Sequence, residues 1–219
     1  EKAGIIKKET PVIIGREQTE VSAVFKQKSK TENAALFYAT SFNYICDLKG
    51  NYQDENINTC VSSIHKLKEK GWSISEQHIE NGLKKVITNT GILGRWQTIN
   101  YNPLTICDTG HNEDGIKYIL NQIRDINHRQ LHIVWGAVKD KNINKILALL
   151  PKNAIYYFCE ANIPRALPKE TLLTLAKKHR LNGQYYSSVK AALSNAQNNT
   201  QTKDLIFVGG STFVVAEVL

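Results

Sequence analysis

Residues 108–112, Asp-Thr-Gly-His-Asn, form the stretch whose types and order best suit chemistry. The stretch follows the apolar run Leu104–Cys107, which predicts a buried strand, and precedes a helical pattern from Glu113. Asp108 can accept hydrogen bonds from ribose hydroxyls, and His111 lies near a predicted helix N-terminus, where N–H groups favour phosphate. The stretch therefore suits a nucleotide contact, and the alternative is that Asp108 or Asn112 only caps the helix.

Two further polar stretches could complete a nucleotide site. Arg95 follows a glycine in a predicted linker, from which a guanidinium can reach a phosphate. The alternative is a surface Arg beside a packing Trp96. Gln53 and Asn56 carry neutral amides that suit the edge of a base, and the alternative is helix capping by Asp54 or Asn56.

Glycine-containing turns follow two other predicted strands. Residues 136–141 include Lys139 and Lys141, which could hold an acidic substrate, and a solvated loop is the alternative. Residues 209–212, Gly-Gly-Ser-Thr, look like a phosphate cradle. The chain contains no G-x-x-x-x-G-K-[ST] sequence, so tight packing between strand and helix is the favoured interpretation.

A parallel sheet would bring these turns to one edge. After Gly94, short apolar strands alternate with amphipathic helices, which predicts an α/β fold with a Rossmann-like, mostly parallel sheet flanked by helices. Ligands bind beyond the carboxyl ends of the strands in such sheets. The linker at residues 89–94 predicts a boundary between domains 1–93 and 94–219. Locally, the patterns predict two short strands within residues 35–46, one helix over residues 75–87 and a loop over residues 195–203.

Composition excludes several classes of protein. The chain is 42% hydrophobic and 22% charged, which is typical of a globular protein, and no apolar run is as long as a membrane span. The net charge of +8 comes with scattered lysines and without zinc-finger spacing or RNA-binding aromatic motifs, so nucleic-acid binding is not expected. The four cysteines form no C-x-x-C pair, which favours free thiols in a reducing cytoplasm. Because the sequence lacks Met, we expect a piece of a longer protein.

Six stretches in order resemble the dihydrofolate synthase/folylpolyglutamate synthases, a family of the Mur ligase superfamily. The first three similar segments of that family are E-K-A-G-I at residues 1–7, G-x-[HY]-Q-x-x-N at residues 50–56 and G-R-[FLW]-[EQ] at residues 94–97. The other three are D-x-A-H-N at residues 108–112, glycine-to-D-K at residues 136–141 and G-S-x-x-x-x-x-E at residues 210–217. The turn departs from the family at Thr109, Gly110 and Glu113. The resemblance implies the C-terminal remnant of a P-loop ATPase-type central domain, whose P-loop lies upstream, followed by the whole C-terminal domain.

The resemblance also implies chemistry. It implies an ATP-dependent ligase that adds L-glutamate to dihydropteroate or to folate glutamate tails through an acyl phosphate, with Mg2+ at the phosphates. By resemblance, Asn56 contacts adenine, Arg95 contacts phosphate, and Asp108 contacts the ribose or phosphate region. His111 lies beside the γ-phosphate or the transferred group, and Lys2 matches a lysine that becomes a carbamate and helps to hold magnesium.

The alternatives are a peptidoglycan amino-acid ligase of the same superfamily and a non-catalytic nucleotide-binding module. The resemblance further implies a cytoplasmic, monomeric enzyme that binds neither nucleic acid nor membrane. We expect the 219-residue chain alone to be inactive, because it lacks the loop that cradles phosphate.

Overall fold

The computed structural model describes residues 2–139 and 142–219, which form two compact units. Unit 1 comprises Glu1–Asp47 and Tyr52–Gly91, and unit 2 comprises Leu48–Asn51 and Ile92–Leu219. Within the described residues, no helix has both the length and the apolar character needed to cross a membrane. The predicted domain boundary between residues 93 and 94 lies close to this division, and as a boundary between functional domains it stays a prediction.

Unit 1 consists of short elements around two small apolar clusters. Its elements are a 3-10 helix at Lys2–Ile5, β1 at Val12–Ile14, α1 at Thr19–Thr31, β2 at Leu36–Tyr38, α2 at Gln53–Glu69, α3 at Glu76–Lys84 and α4 at Val86–Thr90. β1 and β2 pair in parallel. Ile57 and Val61 of α2 lie one helical turn apart and pack against Ile79 and Leu83 of α3, which is the larger cluster.

Two local expectations for unit 1 are wrong. The second strand predicted within residues 35–46 is not present, because side chains of α2 take up the backbone N–H groups there. Thr40 N–H donates to Ser62 Oγ at 3.1 Å, and Phe42 N–H donates to Asn58 Oδ1 at 2.8 Å. The single helix predicted over residues 75–87 is broken at Lys85.

Unit 2 is built on one six-stranded sheet within the described residues. Its elements are β3 at Gln97–Tyr101, β4 at Leu104–Cys107, α5 at Glu113–Arg124, β5 at Leu131–Trp135, α6 at Ile143–Leu149, β6 at Ile155–Phe158, α7 at Lys169–Lys178, β7 at Asn182–Tyr185, α8 at Val189–Asn199, β8 at Leu205–Gly209 and α9 at Thr212–Ala216. The strand order is β3-β4-β8-β5-β6-β7, and only the β3–β4 pair is antiparallel among these strands. The predicted α/β fold with a mostly parallel sheet flanked by helices is confirmed.

Helices cover both faces of this sheet. Buried residues of α5, α6 and α7 form one core with β4, β5, β6 and β8, and buried residues of α8 and α9 form the other. The chain therefore leaves β4 and β5 towards one face and leaves β8, which lies between them, towards the opposite face. A parallel sheet binds ligands where its connections diverge in this way, at the carboxyl ends of the strands.

The loop predicted over residues 195–203 is wrong up to Asn199, because α8 continues to that residue. Ala192 and Ala196 are buried on one face of α8. Asn195 and Asn199 each donate a side-chain N–H to the carbonyl four residues earlier, at 2.9 Å, so these polar residues support the helix instead of ending it.

Candidate functional site

Asp108 is buried at the carboxyl end of β4 and joins two segments of the chain. Its Oδ2 accepts a hydrogen bond from the Trp96 backbone N–H at 2.7 Å, and its Oδ1 accepts one from the Gly110 N–H at 2.7 Å. Hydrogen bonds from N–H groups to a carboxylate are among the stronger ones in proteins. Asp108 therefore holds the turn at residues 108–112 against the segment at residues 94–96. Its predicted contact with a nucleotide stays a prediction.

The segment at residues 94–96 has an unusual backbone that presents Arg95 to solvent. Gly94 has φ of 72° and Trp96 has φ of 47°, both in the left-handed region. A Cβ on Gly94 would lie 2.7 Å from Val215 Cγ1, so a side chain does not fit there. Thr109 N–H donates to the Gly94 carbonyl at 2.9 Å. Arg95 is exposed on this braced turn, beside the end of β4.

Trp96 packs in the core, as the alternative interpretation of a surface Arg beside a packing Trp predicted. Its side chain is 8% exposed, and its ring packs against Phe207 with centroids 6.4 Å apart. Trp96 thus anchors the segment to the core of unit 2, while Arg95 stays accessible. The predicted contact between Arg95 and phosphate is compatible with this exposure and stays a prediction.

His111 and Asn112 lie where β4 gives way to α5. Asn112 is the helix cap, because its Oδ1 accepts from the Gly115 N–H at 2.7 Å. His111 Nδ1 lies 2.8 Å from the Thr109 carbonyl. Since a carbonyl only accepts, Nδ1 carries the hydrogen, and Nε2 of the neutral ring keeps its lone pair for a proton or a ligand. The partly buried His111 is thus oriented, and its predicted role stays a prediction.

Acidic residues oppose anion binding at the start of α5. Glu113 and Asp114 occupy its first turn, and Lys145 Nζ lies 3.6 Å from Glu113 Oε1. Negative charge at this position stabilises the helix through its dipole but repels a phosphate. Arg95 and Lys139 are exposed and can supply positive charge at this edge.

The glycine turns after β5 and β8 pack tightly against each other. A Cβ on Gly210 would lie 2.4 Å from the Gly136 carbonyl oxygen, and a Cβ on Gly136 would lie 2.7 Å from the Cys159 carbonyl oxygen. The favoured interpretation of residues 209–212 as close packing is therefore confirmed. Lys139 donates through Nζ to the Pro164 carbonyl at 3.2 Å, and Asp140 and Lys141 lie outside the described residues.

The cysteine next to Asp108 is not a nucleophile. Cys107 is buried, and burial, with the charge of Asp108, raises the pKa of its thiol to about 12. A thiol with that pKa stays protonated at neutral pH. Burial also raises the pKa of the Cys159 thiol. The expectation of free cysteines is confirmed for Cys46, Cys60, Cys107 and Cys159.

Sequence reasoning missed a cleft of about 690 Å³ at the carboxyl ends of β6 and β7. Its charged lining residues are Glu160, Lys169 and Glu217. Glu217 Oε1 accepts from the Asn162 N–H at 2.7 Å, which joins the end of α9 to the turn after β6. The signal that could have found this cleft is a Glu directly after the apolar strand that ends near Cys159.

The predicted site residues Lys2 and Asn56 belong to unit 1. Lys2 is exposed in the 3-10 helix. Asn56 lies in the first turn of α2, and its Nδ2 donates to Oε1 of the buried Gln53 at 2.8 Å. The capping alternative is wrong for Asp54 and Asn56, because the cap position is Tyr52. The structure thus brings Arg95, Asp108 and His111 together in unit 2, and the roles of Lys2 and Asn56 stay predictions.

The described residues do not form a metal site by themselves. Across residues 2–139 and 142–219, no group of three or more His, Cys, Asp and Glu side chains could hold a metal ion. The unmodified Lys2 ammonium is itself a cation and does not ligate one. Since Mg2+ at a nucleotide commonly uses only one or two protein carboxylates together with phosphates, the Mg2+ site stays a prediction.

Comparisons with known proteins give a consistent result. Residues 94–212, more than half of the chain, match the family model described as Mur ligase, glutamate ligase domain. The Escherichia coli (strain K12) dihydrofolate synthase/folylpolyglutamate synthase is 27% identical over 236 residues, with 100% of this chain and 53% of the relative covered. A probable bifunctional folylpolyglutamate synthase/dihydropteroate synthase of Haloferax volcanii is 30% identical over 173 residues, with 78% of this chain and 20% of the relative covered.

A solved structure shows the same fold. Mycobacterium tuberculosis folylpolyglutamate synthase, complexed with ADP and AMPPCP, superposes with a TM-score of 0.84 at 20% identity. The superposition covers 99% of this chain and 57% of that one. The chain spans about half the length of the E. coli relative and of this structural neighbour, and 20% of the Haloferax volcanii relative.

Proposed function

The chain belongs to the Mur ligase family through its glutamate ligase domain, and from that premise we propose that it forms the C-terminal part of an ATP-dependent amide ligase. The proposed reaction joins the amine of L-glutamate to a carboxylate of dihydropteroate or of a folate glutamate tail. The relatives named as dihydrofolate and folylpolyglutamate synthases support these substrates. Residues 1–93 would be the end of the ATPase domain, and residues 94–219 would be the glutamate ligase domain.

One observation carries the proposal. Asp108 accepts hydrogen bonds from Trp96 and Gly110, so one buried carboxylate holds both the Arg95 turn and the His111 turn at the carboxyl end of β4. That end lies beside β8, where the connections of the sheet diverge. A guanidinium and an oriented imidazole held at such a place suit the binding of a phosphate and the stabilisation of charge during phosphoryl transfer.

Three of the described residues, each within its own unit, carry groups that suit ATP. Arg95 would bind phosphate, His111 would orient the transferred group or hold a proton at Nε2, and Asn56 would contact the base. ATP, when bound, supplies the phosphoryl group that activates the acceptor carboxylate as an acyl phosphate. The buried Asp108 would act by positioning Arg95 and His111. The relative complexed with ADP and AMPPCP supports nucleotide binding.

L-Glutamate would bind at the same edge of unit 2. Lys139 is exposed after β5 and carries the positive charge that an incoming dicarboxylate needs. We also propose a cytoplasmic, monomeric ligase, which the four free cysteines suit.

The test measures glutamate-dependent release of ADP by the intact ligase that contains these residues. Three acceptors are compared, namely dihydropteroate, a reduced folate monoglutamate and a UDP-linked muramyl substrate. We expect turnover with the first or second acceptor and none with the third, and we expect no turnover by the 219-residue chain alone. Turnover with the muramyl substrate only would replace the proposal with a peptidoglycan ligase.

A further inference from the structure

A second cavity lies at the amino-terminal edge of the sheet of unit 2, opposite the edge that carries Arg95 and Asp108. Its volume is about 410 Å³, within the range of small-ligand pockets. It is bounded by the end of α5, the segment that leads into β5 and the segment between α6 and β6. Leu120, Ile123 and Leu149 give it an apolar floor, and none of them is exposed.

Hydrogen bonds fix the walls of this cavity before any ligand binds. Tyr156 donates its hydroxyl to the Pro151 carbonyl at 2.6 Å, and Gln130 Nε2 donates to the Asn153 carbonyl at 2.9 Å. Pro151, Gln130 and Asn153 all line the cavity. Walls held in this way lose little conformational entropy when a ligand binds, which favours affinity.

Cationic side chains line the same cavity. Arg124 is exposed at the end of α5. Arg129 donates from Nε and Nη2 to Asp204, each at 3.0 Å, which leaves three of the five N–H groups of a guanidinium for other acceptors. No residue that lines the cavity is Asp or Glu, although Asp204 balances the charge of Arg129 from behind. The side chain of Arg124 therefore supplies the net positive charge of the rim.

We propose that this cavity binds a small amphipathic carboxylate. The apolar body of the ligand would lie on Leu120, Ile123 and Leu149, and its carboxylate would accept hydrogen bonds from Arg124 and from the N–H groups of Arg129 that Asp204 does not use. The proposal needs neither ATP nor the residues at the opposite edge. It can therefore fail while the proposed ligase activity stands, and the reverse also holds.

The experiment titrates 4-methylbenzoate into the isotopically labelled 219-residue chain and follows backbone amide signals by NMR. We expect saturable shifts concentrated at residues 120–131 and 149–153. Uncharged 4-methylbenzamide, which has the same ring, is expected to bind at least about threefold more weakly, as the loss of one partly exposed ionic contact implies.

Three variants sharpen the test. Arg124→Gln removes the exposed charge and is expected to weaken the benzoate about threefold. Asn153→Asp adds a carboxylate to the rim and is expected to weaken the benzoate but not the benzamide. Lys117→Gln, an exposed site on α5 that does not line the cavity, is the matched control and should bind as the parent chain does. Unchanged spectra outside the cavity verify that each variant is folded.

The proposal is overturned if the benzoate gives no saturable shift, or if its shifts lie at residues 108–111 and 136–139. It is also overturned if benzoate and benzamide bind equally, or if Arg124→Gln and Asn153→Asp both bind the benzoate as tightly as Lys117→Gln does.

Discussion

The two units differ most in how their sheets are covered. In unit 2, helices lie on both faces of a six-stranded sheet, and the residues of β5 and β8 are all buried. In unit 1, the described residues place only β2 beside β1, and every residue of both strands is half-buried. Parallel strands are normally buried on both faces, and an isolated pair of strands is only marginally stable. The buried sheet of unit 2 is therefore the better support for side chains that must keep fixed distances.

The same difference separates the candidate site residues. Arg95, Asp108 and His111 lie on turns that are anchored to the buried sheet of unit 2. Lys2 and Asn56 are exposed on unit 1. We infer that Arg95, Asp108 and His111 keep their geometry in the 219-residue chain, because the buried sheet anchors their turns.

The largest expected effect comes from cavities made separately in the two units. Phe207→Ala removes a buried ring from unit 2 and should lower its free energy of unfolding by about 3–5 kcal/mol. Val61→Ala in α2 should cost unit 1 about 2 kcal/mol. We expect scanning calorimetry of the chain to show two transitions. Phe207→Ala should lower the midpoint temperature of the upper transition, and Val61→Ala should lower that of the lower transition. A single transition that both variants shift would contradict this and mean that the two units unfold together.

Two glycines with nearly the same positive φ give a matched comparison. Gly210 of unit 2 has φ of 95°, and Gly71 of unit 1 has φ of 92°. Both Ala variants carry a left-handed penalty of about 1 kcal/mol. A Cβ at Gly210 also meets the Gly136 carbonyl oxygen at 2.4 Å, whereas no atom lies within 4 Å at Gly71. In urea unfolding, Gly210→Ala should cost about 2 kcal/mol more than Gly71→Ala does, and equal costs would show that the turn after β8 can relax.

The sequence predicted the strands and helices of unit 2 more accurately than the hydrogen bonds that hold its turns. The predicted strand Leu104–Cys107 is found because burial on both faces of a parallel sheet favours mostly apolar residues. The family resemblance is confirmed by the match over residues 94–212. The bond from the Trp96 N–H to Asp108 was not predictable, because a backbone donor in a left-handed turn has no residue signature. Unit 1 was predicted less well, since Ser62 and Asn58 replace strand partners there.

A smaller effect is expected on acidification. The hydrogen bond from Arg129, despite some opposition from burial, lowers the pKa of the Asp204 carboxyl to about 2 from 3.8. Because the folded pKa lies below the unfolded one, this group stabilises unit 2 above about pH 4, and the contribution is lost as the pH falls from about 4 to about 2. Asp204→Asn should cost about 2 kcal/mol at pH 7 and flatten the loss in that window.

Chemical denaturation at several pH values measures this effect. Asp125→Asn at the end of α5 is the control, because that carboxylate is exposed. The control should keep the acid profile of the parent chain. An acid profile for Asp204→Asn that matches the parent's would show that the Arg129–Asp204 pair does not set the pH dependence of unit 2.

The most direct test of the central claim is the turnover number of the intact ligase with Arg95→Ala. We expect glutamate-dependent ADP release to fall about 100-fold, since a positioned charge on a transferring phosphoryl group is lost. The melting temperature should not change, because Arg95 is exposed. Arg95→Lys should recover part of the rate, and Lys178→Ala, an exposed site at the end of α7, should retain all of it. An unchanged turnover number in Arg95→Ala would contradict a catalytic role for this edge of unit 2 and favour a non-catalytic nucleotide-binding module.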